Sequence, residues 1–217
     1  TTILETAYNA LAEAGYQIAL AAPTGKAAKR IYEVTGIQAF TNHRLLEYTH
    51  PGDPDPKTGK PAQFSYPRRT RNNPLELDVL FVDEYAMVNN ELHRSLFDAL
   101  RPGACIRVFG DNNQLPPIEE DQRLRDQPSQ FIQLLDKFPS VRLETVHRQG
   151  KDSGILLNLQ AILNGRMPTR NDQWSMQFTD MPVDALRDFI LEQQEAGCDY
   201  TQVNNQILTP QNTSWVG

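Results

Sequence analysis

Two stretches of the chain carry side chains whose types and spacing could do chemistry. The run Leu80-Phe81-Val82-Asp83-Glu84 ends in adjacent carboxylates, and Gly110-Asp111-Asn112-Asn113-Gln114-Leu115-Pro116-Pro117 follows a second strand-like run, Ile106-Arg107-Val108-Phe109. An apolar run that stops at two acids reads as a buried strand delivering them to the carboxyl end of a sheet, where open α/β folds bind ligands. The chemistry that suits this placement is that of a nucleotide with its Mg²⁺. Asp83 would hold the metal, directly or through water, while Glu84 would orient an attacking water and take its proton. Asp111 ends the second run on the same plan, on the nucleotide side, and Gln114 supplies an amide that could sense the terminal phosphate. Taken alone, an Asp-Glu pair after an apolar run is as readily a solvated strand end. The repeat of the plan, with a Gln-Leu-Pro-Pro tail, weighs against that.

The elements that must position these residues alternate in period between helix and strand. A helix over residues 3–14, ended by Gly15, leads to a strand over 17–21 and a helix over 24–34 closed by Gly36. Further helices are expected over 90–100, 129–138, 153–164 and 183–195, and strands over 79–82, 106–109, 141–143 and 206–208. Such alternation predicts a parallel sheet with crossover helices.

The rhythm breaks between residues 48 and 77. His50-Pro51-Gly52-Asp53-Pro54 begins a stretch dense in turn formers, and Ala62-Gln63-Phe64-Ser65-Tyr66 alternates enough for a short strand, so a small hairpin or loop is expected here. From Lys57 to Arg71 its charges are Lys57, Lys60, Arg68, Arg69 and Arg71, with Phe64 and Tyr66 between them and no acid. Basic loops are common as solvated surface. Aromatic rings among cations also suit single-stranded nucleic acid, where stacking contributes about 1–3 kcal/mol per base.

With these motifs in hand, the chain resembles the superfamily 1 DNA helicases, and within them the RecD-like branch. The resemblance is carried in order by Ala22-Pro23-Thr24-Gly25-Lys26-Ala27-Ala28-Lys29-Arg30, Thr41-Asn42-His43-Arg44-Leu45-Leu46, Asp83-Glu84-Tyr85-Ala86-Met87, residues 110–117, Thr145-Val146-His147-Arg148-Gln149 and Ile207-Leu208-Thr209-Pro210. It implies a P-loop NTPase (RecA-like) α/β fold, with a parallel sheet and flanking helices over 1–140. The basic insertion at about 48–77 would lie within that domain, as a pin meeting the duplex at the fork, and a second RecA-like domain would begin at 141–217. The implied cofactors are ATP and Mg²⁺. The implied partners are single-stranded DNA and fork DNA, and subunits of a nuclease–helicase complex.

The same resemblance assigns DNA contacts to Pro23, Thr24, Gly25 and Lys26, to Thr41, Asn42, His43 and Arg44, and to Arg68 and Arg69 of the insertion. Thr24 is also a plain helix cap with Lys26, Lys29 and Arg30 on a solvated face; the alternative is that Thr24 and the first amides of the helix hold a DNA phosphate. Thr41 would cap the next helix, and a lone histidine such as His43 is more often structural. Arg148 would reach the terminal phosphate, its bland alternative being an ion pair with Glu144. Arginines in that role contribute about 10³ to 10⁵ in rate.

The phosphate-cradling pattern Gly-x-x-x-x-Gly-Lys-[Ser/Thr] does not occur in these residues. Aligned to the family, the chain opens just after that lysine, so Thr1, or Thr2 in the neighbouring register, would ligate Mg²⁺. The expected reading is an inner piece of a larger helicase, inactive by itself, that works 5′-to-3′ in recombination or repair. A non-catalytic nucleic-acid-binding module and the helicase part of a conjugative relaxase are the alternatives. Two departures from the family stand out: Tyr85 where a small residue is usual, and Val146-His147 where the family more often has Ile-Phe.

Composition bounds the rest. The 217 residues are 39% hydrophobic and 22% charged, enough for one ordinary core and part of another. Two cysteines, Cys105 and Cys198, form neither a disulfide framework nor a zinc pattern, and a cytoplasmic location is expected. No apolar stretch is long enough for a membrane partner. The net charge of −6 does not exclude DNA, because a motor binds its strand along one groove.

Overall fold

The computed structural model describes residues 2–54, 59–62, 64–119, 121–143, 153–171 and 183–200. The chain divides into two compact units, Thr1–Leu143 and Glu144–Gly217. The first holds α1 (Thr2–Glu13), β1 (Ile18–Ala22), α2 (Gly25–Thr35), β2 (Ala39–Thr41) and α3 (Asn42–Leu45), then β3 (Val79–Val82), α4 (Asn90–Asp98), β4 (Cys105–Val108), α5 (Gln122–Arg125) and α6 (Gln130–Lys137). The second contributes α7 (Gly154–Leu163) and α8 (Val183–Glu195).

The four strands form one wholly parallel sheet in the order β2-β1-β3-β4. All four residues of β3 are buried, as an apolar strand covered on both faces requires. Alternation sorts its side chains. Val79 and Phe81 pack with Leu4 of α1 and Ala28 and Ile31 of α2, whereas Leu80 and Val82 pack with Leu92 and Leu96 of α4 and Phe131 of α6. Two cores therefore sandwich the sheet, each filled by side chains worth about 1.5–3 kcal/mol when fully buried.

Local chemistry sets the element ends. The Thr24 hydroxyl accepts from the Ala27 N–H at 3.2 Å at the start of α2. Gly36 takes φ 70° at its end and donates to the Tyr32 carbonyl, the left-handed cap that glycine adopts without a Cβ penalty. Opposite the functional end, Asp78 ties β1 to β3: its carboxylate accepts from the Gln17 N–H at 2.8 Å and from Arg101.

The expected parallel α/β architecture with flanking helices is present, and each expected helix within the described residues forms within two residues of its expected bounds. The differences have local causes. β2 is unforeseen because three residues carry no readable period. No strand forms at 141–143, where Val141 is 90% and Leu143 69% exposed; among the described residues the run pairs with no strand and buries no face. Residues 64–66 are not a strand either. The insertion is instead held by Thr49 N–H to the Tyr66 carbonyl (3.0 Å), Gly52 N–H to Ala62 (2.9 Å) and Ala62 N–H to Asp53 (2.7 Å), with one antiparallel bridge between Pro54 and Pro61. Neither proline has an N–H to donate to a ladder. The expected strand at 206–208 and the motif at 145–149 lie outside the described residues.

Candidate functional site

Because every strand runs the same way, the segments that leave them all emerge at one end of the sheet. Register makes this specific: Ala22 pairs with Thr41, Ala21 with Val82 and Val82 with Val108. Just beyond that level come Pro23 to Lys26, Asn42 to Arg44, Asp83-Glu84 and Gly110-Asp111. The four motifs lie far apart in sequence and are gathered by topology alone.

Asp83 extends β3 by one bond, donating its N–H to the Ala21 carbonyl at 2.9 Å, and its Oδ1 accepts from the Glu84 N–H at 3.0 Å. Glu84 sits at φ 51°, ψ 39°, a left-handed conformation that stores about 1–3 kcal/mol in a non-glycine residue. What holds it there follows directly in the chain. Tyr85 N–H donates to the Phe109 carbonyl at 2.8 Å, and the Tyr85 ring is wholly buried, opening a 3₁₀ turn over Tyr85–Met87. The chain reverses on Glu84, so both carboxylates stay half-buried at the strand end.

Tyr85, the departure from the family pattern, is thus an anchor. Its hydroxyl and His93 Nδ1 on α4 are 2.9 Å apart. Burial pushes the Tyr85 hydroxyl well up from its ordinary value. It also lowers that of His93, helped by the positive charges of Arg94 and Lys137, so this is a hydrogen bond between neutral partners. Gly110 lies against the same turn: a Cβ there would stand 3.1 Å from the Ala86 nitrogen and 3.1 Å from the Phe131 ring.

Past Gly110 the chain is exposed from Asp111 to Pro116. Asp111 Oδ1 accepts from the Asn113 N–H at 2.9 Å, and Gln114 N–H donates to the Asp111 carbonyl at 3.2 Å, which leaves the Gln114 side chain at the surface. Glu119, which sequence reasoning did not single out, anchors the segment's far end. It is buried and accepts from both the N–H and the Nδ2 of Asn90 at 3.0 Å, while Gln130 Nε2 donates to Asn90 Oδ1 at 2.6 Å. No short-range signal marks Glu119, because its partners are 29 residues away.

The residues expected on DNA fall into two groups. Gly25 and Lys26 are exposed at the start of α2 and Pro23 and Thr24 are half-buried; Lys29 and Arg30 stand 3.6 and 3.8 Å from Glu33 on the solvated face. Thr41 caps α3 through the Arg44 N–H at 3.2 Å. His43 is exposed with its ring edge on Tyr48, and the Arg44 guanidinium lies over the Phe40 ring at 5.6 Å. Asn42 is fully buried, and neither of its amide atoms has a protein partner. In the insertion, Arg69 pairs with Glu47 at 2.7 Å and donates to the Pro74 carbonyl, whereas Arg68 Nη2 reaches the Pro54 carbonyl at 3.4 Å. Thr1 and Arg148 lie outside the described residues.

Among the described residues no cluster of three or more His, Cys, Asp or Glu could hold a metal ion. Asp83, with one oxygen turned to its own turn, fits a different style of site, in which Mg²⁺ keeps waters and phosphate oxygens and takes one or two carboxylates from the protein. No helix among the described residues is long and apolar enough to cross a membrane.

The model of a family described as "AAA domain" matches residues 1–177. The ATP-dependent RecD2 DNA helicase of Deinococcus radiodurans is 35% identical over 159 residues, which cover 73% of this chain and 19% of that protein. The RecBCD enzyme subunit RecD of Mycolicibacterium smegmatis is 35% identical over 156 residues, 64% of this chain and 26% of that protein. The chain therefore spans about a fifth to a quarter of these relatives. A crystal structure of Bacteroides Pif1 bound to single-stranded DNA aligns with TM-score 0.48 at 22% identity, covering 76% of this chain and 40% of that one.

Proposed function

The chain belongs to the AAA domain family, and from that premise we propose that it forms the nucleotide- and strand-binding core of a RecD-like DNA helicase. The parent would couple ATP hydrolysis to 5′-to-3′ movement on single-stranded DNA and to unwinding, in recombination or repair. The observation that carries this reading is the convergence of Asp83-Glu84, Gly110-Asp111, Pro23 to Lys26 and Thr41 to Arg44 at the carboxyl end of one parallel sheet. Carboxylates and strand-binding groups on adjacent strand ends are what a motor needs to link phosphate chemistry to grip.

In this reading Asp83 takes Mg²⁺, and the metal with ATP supplies the scissile phosphate and the neutralising charge. Glu84, fixed by the Tyr85 anchor, orients the attacking water and accepts its proton. Gln114, on the exposed segment between Gly110 and Glu119, contacts the terminal phosphate and passes its presence to the domain. The Thr24 to Lys26 corner binds strand phosphate with helix amides and the lysine, and His43 and Arg44 extend that surface. Asn42 lies buried behind that surface. Thr1 or Thr2 as a metal ligand, Arg148 on the terminal phosphate, and Arg68 together with Arg69, once released from Glu47, at the fork complete the set. The chain lacks the glycine-rich phosphate cradle in its own residues, so by itself it would bind nucleotide weakly and turn none over. Cys105 and Cys198 are both free, which suits a cytoplasmic protein. Assembly with nuclease subunits is a further part of the proposal.

The test is unwinding by the longer protein that carries this chain together with a phosphate loop, on forked duplexes with a 5′ or a 3′ single-stranded tail. Displacement from the 5′-tailed fork alone is expected. Displacement only from the 3′ tail refutes the polarity, and strand binding with no displacement favours a non-catalytic binding module.

A further inference from the structure

The outer face of α4 and the return segment of the insertion, residues 67–71, enclose an open cleft of about 730 Å³. Its walls carry Arg69, Arg71 and Arg94 against a single carboxylate, Asp98, in a chain whose net charge is −6. The three guanidiniums differ in what already holds them. Arg69 is committed to Glu47. The Arg71 N–H donates to Asp98 Oδ2 at 3.2 Å, which fixes the backbone, while its guanidinium is 86% exposed and only 3.5 Å from Oδ1. Arg94 is exposed and has no hydrogen bond or ion pair among the described residues. Exposed pairs of the Arg71 kind hold weakly and yield to a stronger anion.

The neutral groups of the cleft match the charged ones. His93 forms part of the wall and is kept uncharged by burial and by the positive field of Arg94 and Lys137. The Ser95 hydroxyl accepts from Tyr48 at 3.2 Å and retains its own O–H to donate. The Phe97 ring is exposed, packed on His93 at 4.6 Å between centroids, and Pro67 is a second apolar group in the lining. A free guanidinium, Arg94, and a weakly held one, Arg71, beside an accessible ring are the combination that takes a phosphate backbone with its bases unstacked. A duplex hides its base faces, and a polyglutamate has no planar or apolar group to set against the ring.

We propose that this cleft binds a single nucleic-acid strand, with Arg71 and Arg94 on successive phosphates and Phe97 against a base. This is a second strand subsite on the flank of the sheet, separate from the loops that follow β1 and β2. It rests on the strand-binding reading above but not on hydrolysis.

The test is fluorescence anisotropy of a labelled thymidine oligonucleotide with the 217-residue chain at several salt concentrations. The comparison set is the double variant Arg71→Ala/Arg94→Ala, the variant Phe97→Leu, and Lys29→Ala/Arg30→Ala as a control of equal charge. The double variant is expected to bind about tenfold more weakly at low salt and to lower the log–log salt slope by about 1.4, for two contacts at about 0.7 each. Phe97→Leu is expected to weaken binding about fivefold or more with the slope unchanged. The control should follow the unaltered chain, and duplex or polyglutamate should compete poorly. An unchanged slope in the double variant, an equal loss in the control, or equal competition by polyglutamate overturns the cleft. Absence of any oligonucleotide binding by the unaltered chain overturns the strand-binding reading with it.

Discussion

Replacing Tyr85 by phenylalanine isolates the hydrogen bond that pins the turn behind Glu84. The ring remains, so the buried apolar contacts with Phe131 and α4 persist; only the hydroxyl, 2.9 Å from His93 Nδ1, is lost. A neutral hydrogen bond contributes about 0.5–1.5 kcal/mol net, and stranding a half-buried imidazole nitrogen adds to that, so a loss of about 1–2 kcal/mol is expected. In urea denaturation followed by far-UV circular dichroism, with a slope of about 2 kcal/mol per molar, the midpoint should fall by roughly 0.5–1 M. Tyr85→Ala also removes the ring and should cost about 3–5 kcal/mol. Pairing Tyr85→Phe with His93→Leu in a double-mutant cycle should return a coupling of about 1 kcal/mol. A coupling indistinguishable from zero, or a Tyr85→Phe variant as stable as the parent, would refute the claim that this contact anchors the turn.

Other positions give independent tests. Gly110→Ala forces a Cβ to within 3.1 Å of the Ala86 nitrogen and the Phe131 ring, and should cost about 1–3 kcal/mol in the same denaturation experiment; an unchanged midpoint would mean the turn is not packed as described. His93 is held below the ordinary imidazole value of 6.5 by burial and by Arg94 and Lys137, so the unfolded chain takes up its proton first. Its contribution to stability is complete above about pH 6.5 and declines as pH falls from there towards the lowered folded value, a decline that His93→Gln should remove from a pH series of melting temperatures. Asn42→Leu replaces a fully buried amide that has no protein partner and should raise stability by about 1 kcal/mol; a loss of that size would reveal a partner the amide depends on.

What could be read from sequence follows from which forces act locally. β3 was legible because a strand buried on both faces must be continuously apolar, and its two acids mark where the burial stops. α2 was legible because Thr24 and Gly36 are chemically suited to its two caps. β2 was not, since Ala39–Thr41 is too short to show a period and owes its existence to pairing with β1. Val141 to Leu143 misled for the converse reason: it has strand-forming character but, among the described residues, no strand to pair with. At the site, the carboxylate pair and the Gly-Asp turn could be found because they sit on strand ends. The Tyr85–His93 and Glu119–Asn90 contacts could not, because each depends on how α4 is laid against the sheet. The Arg69–Glu47 pair was hidden in the same way: composition shows a basic insertion, and only the fold shows that one of its cations is already neutralised.

The most direct test of the central claim is DNA-stimulated ATP hydrolysis by the longer protein bearing a phosphate loop, measured for the unaltered form and for Glu84→Gln, beside the 217-residue chain. The account predicts turnover that single-stranded DNA stimulates, its loss by about 10²-fold or more in Glu84→Gln with oligonucleotide binding retained, and none from the shorter chain. Equal turnover with glutamine at position 84, or silence in the longer protein despite intact DNA binding, would contradict it.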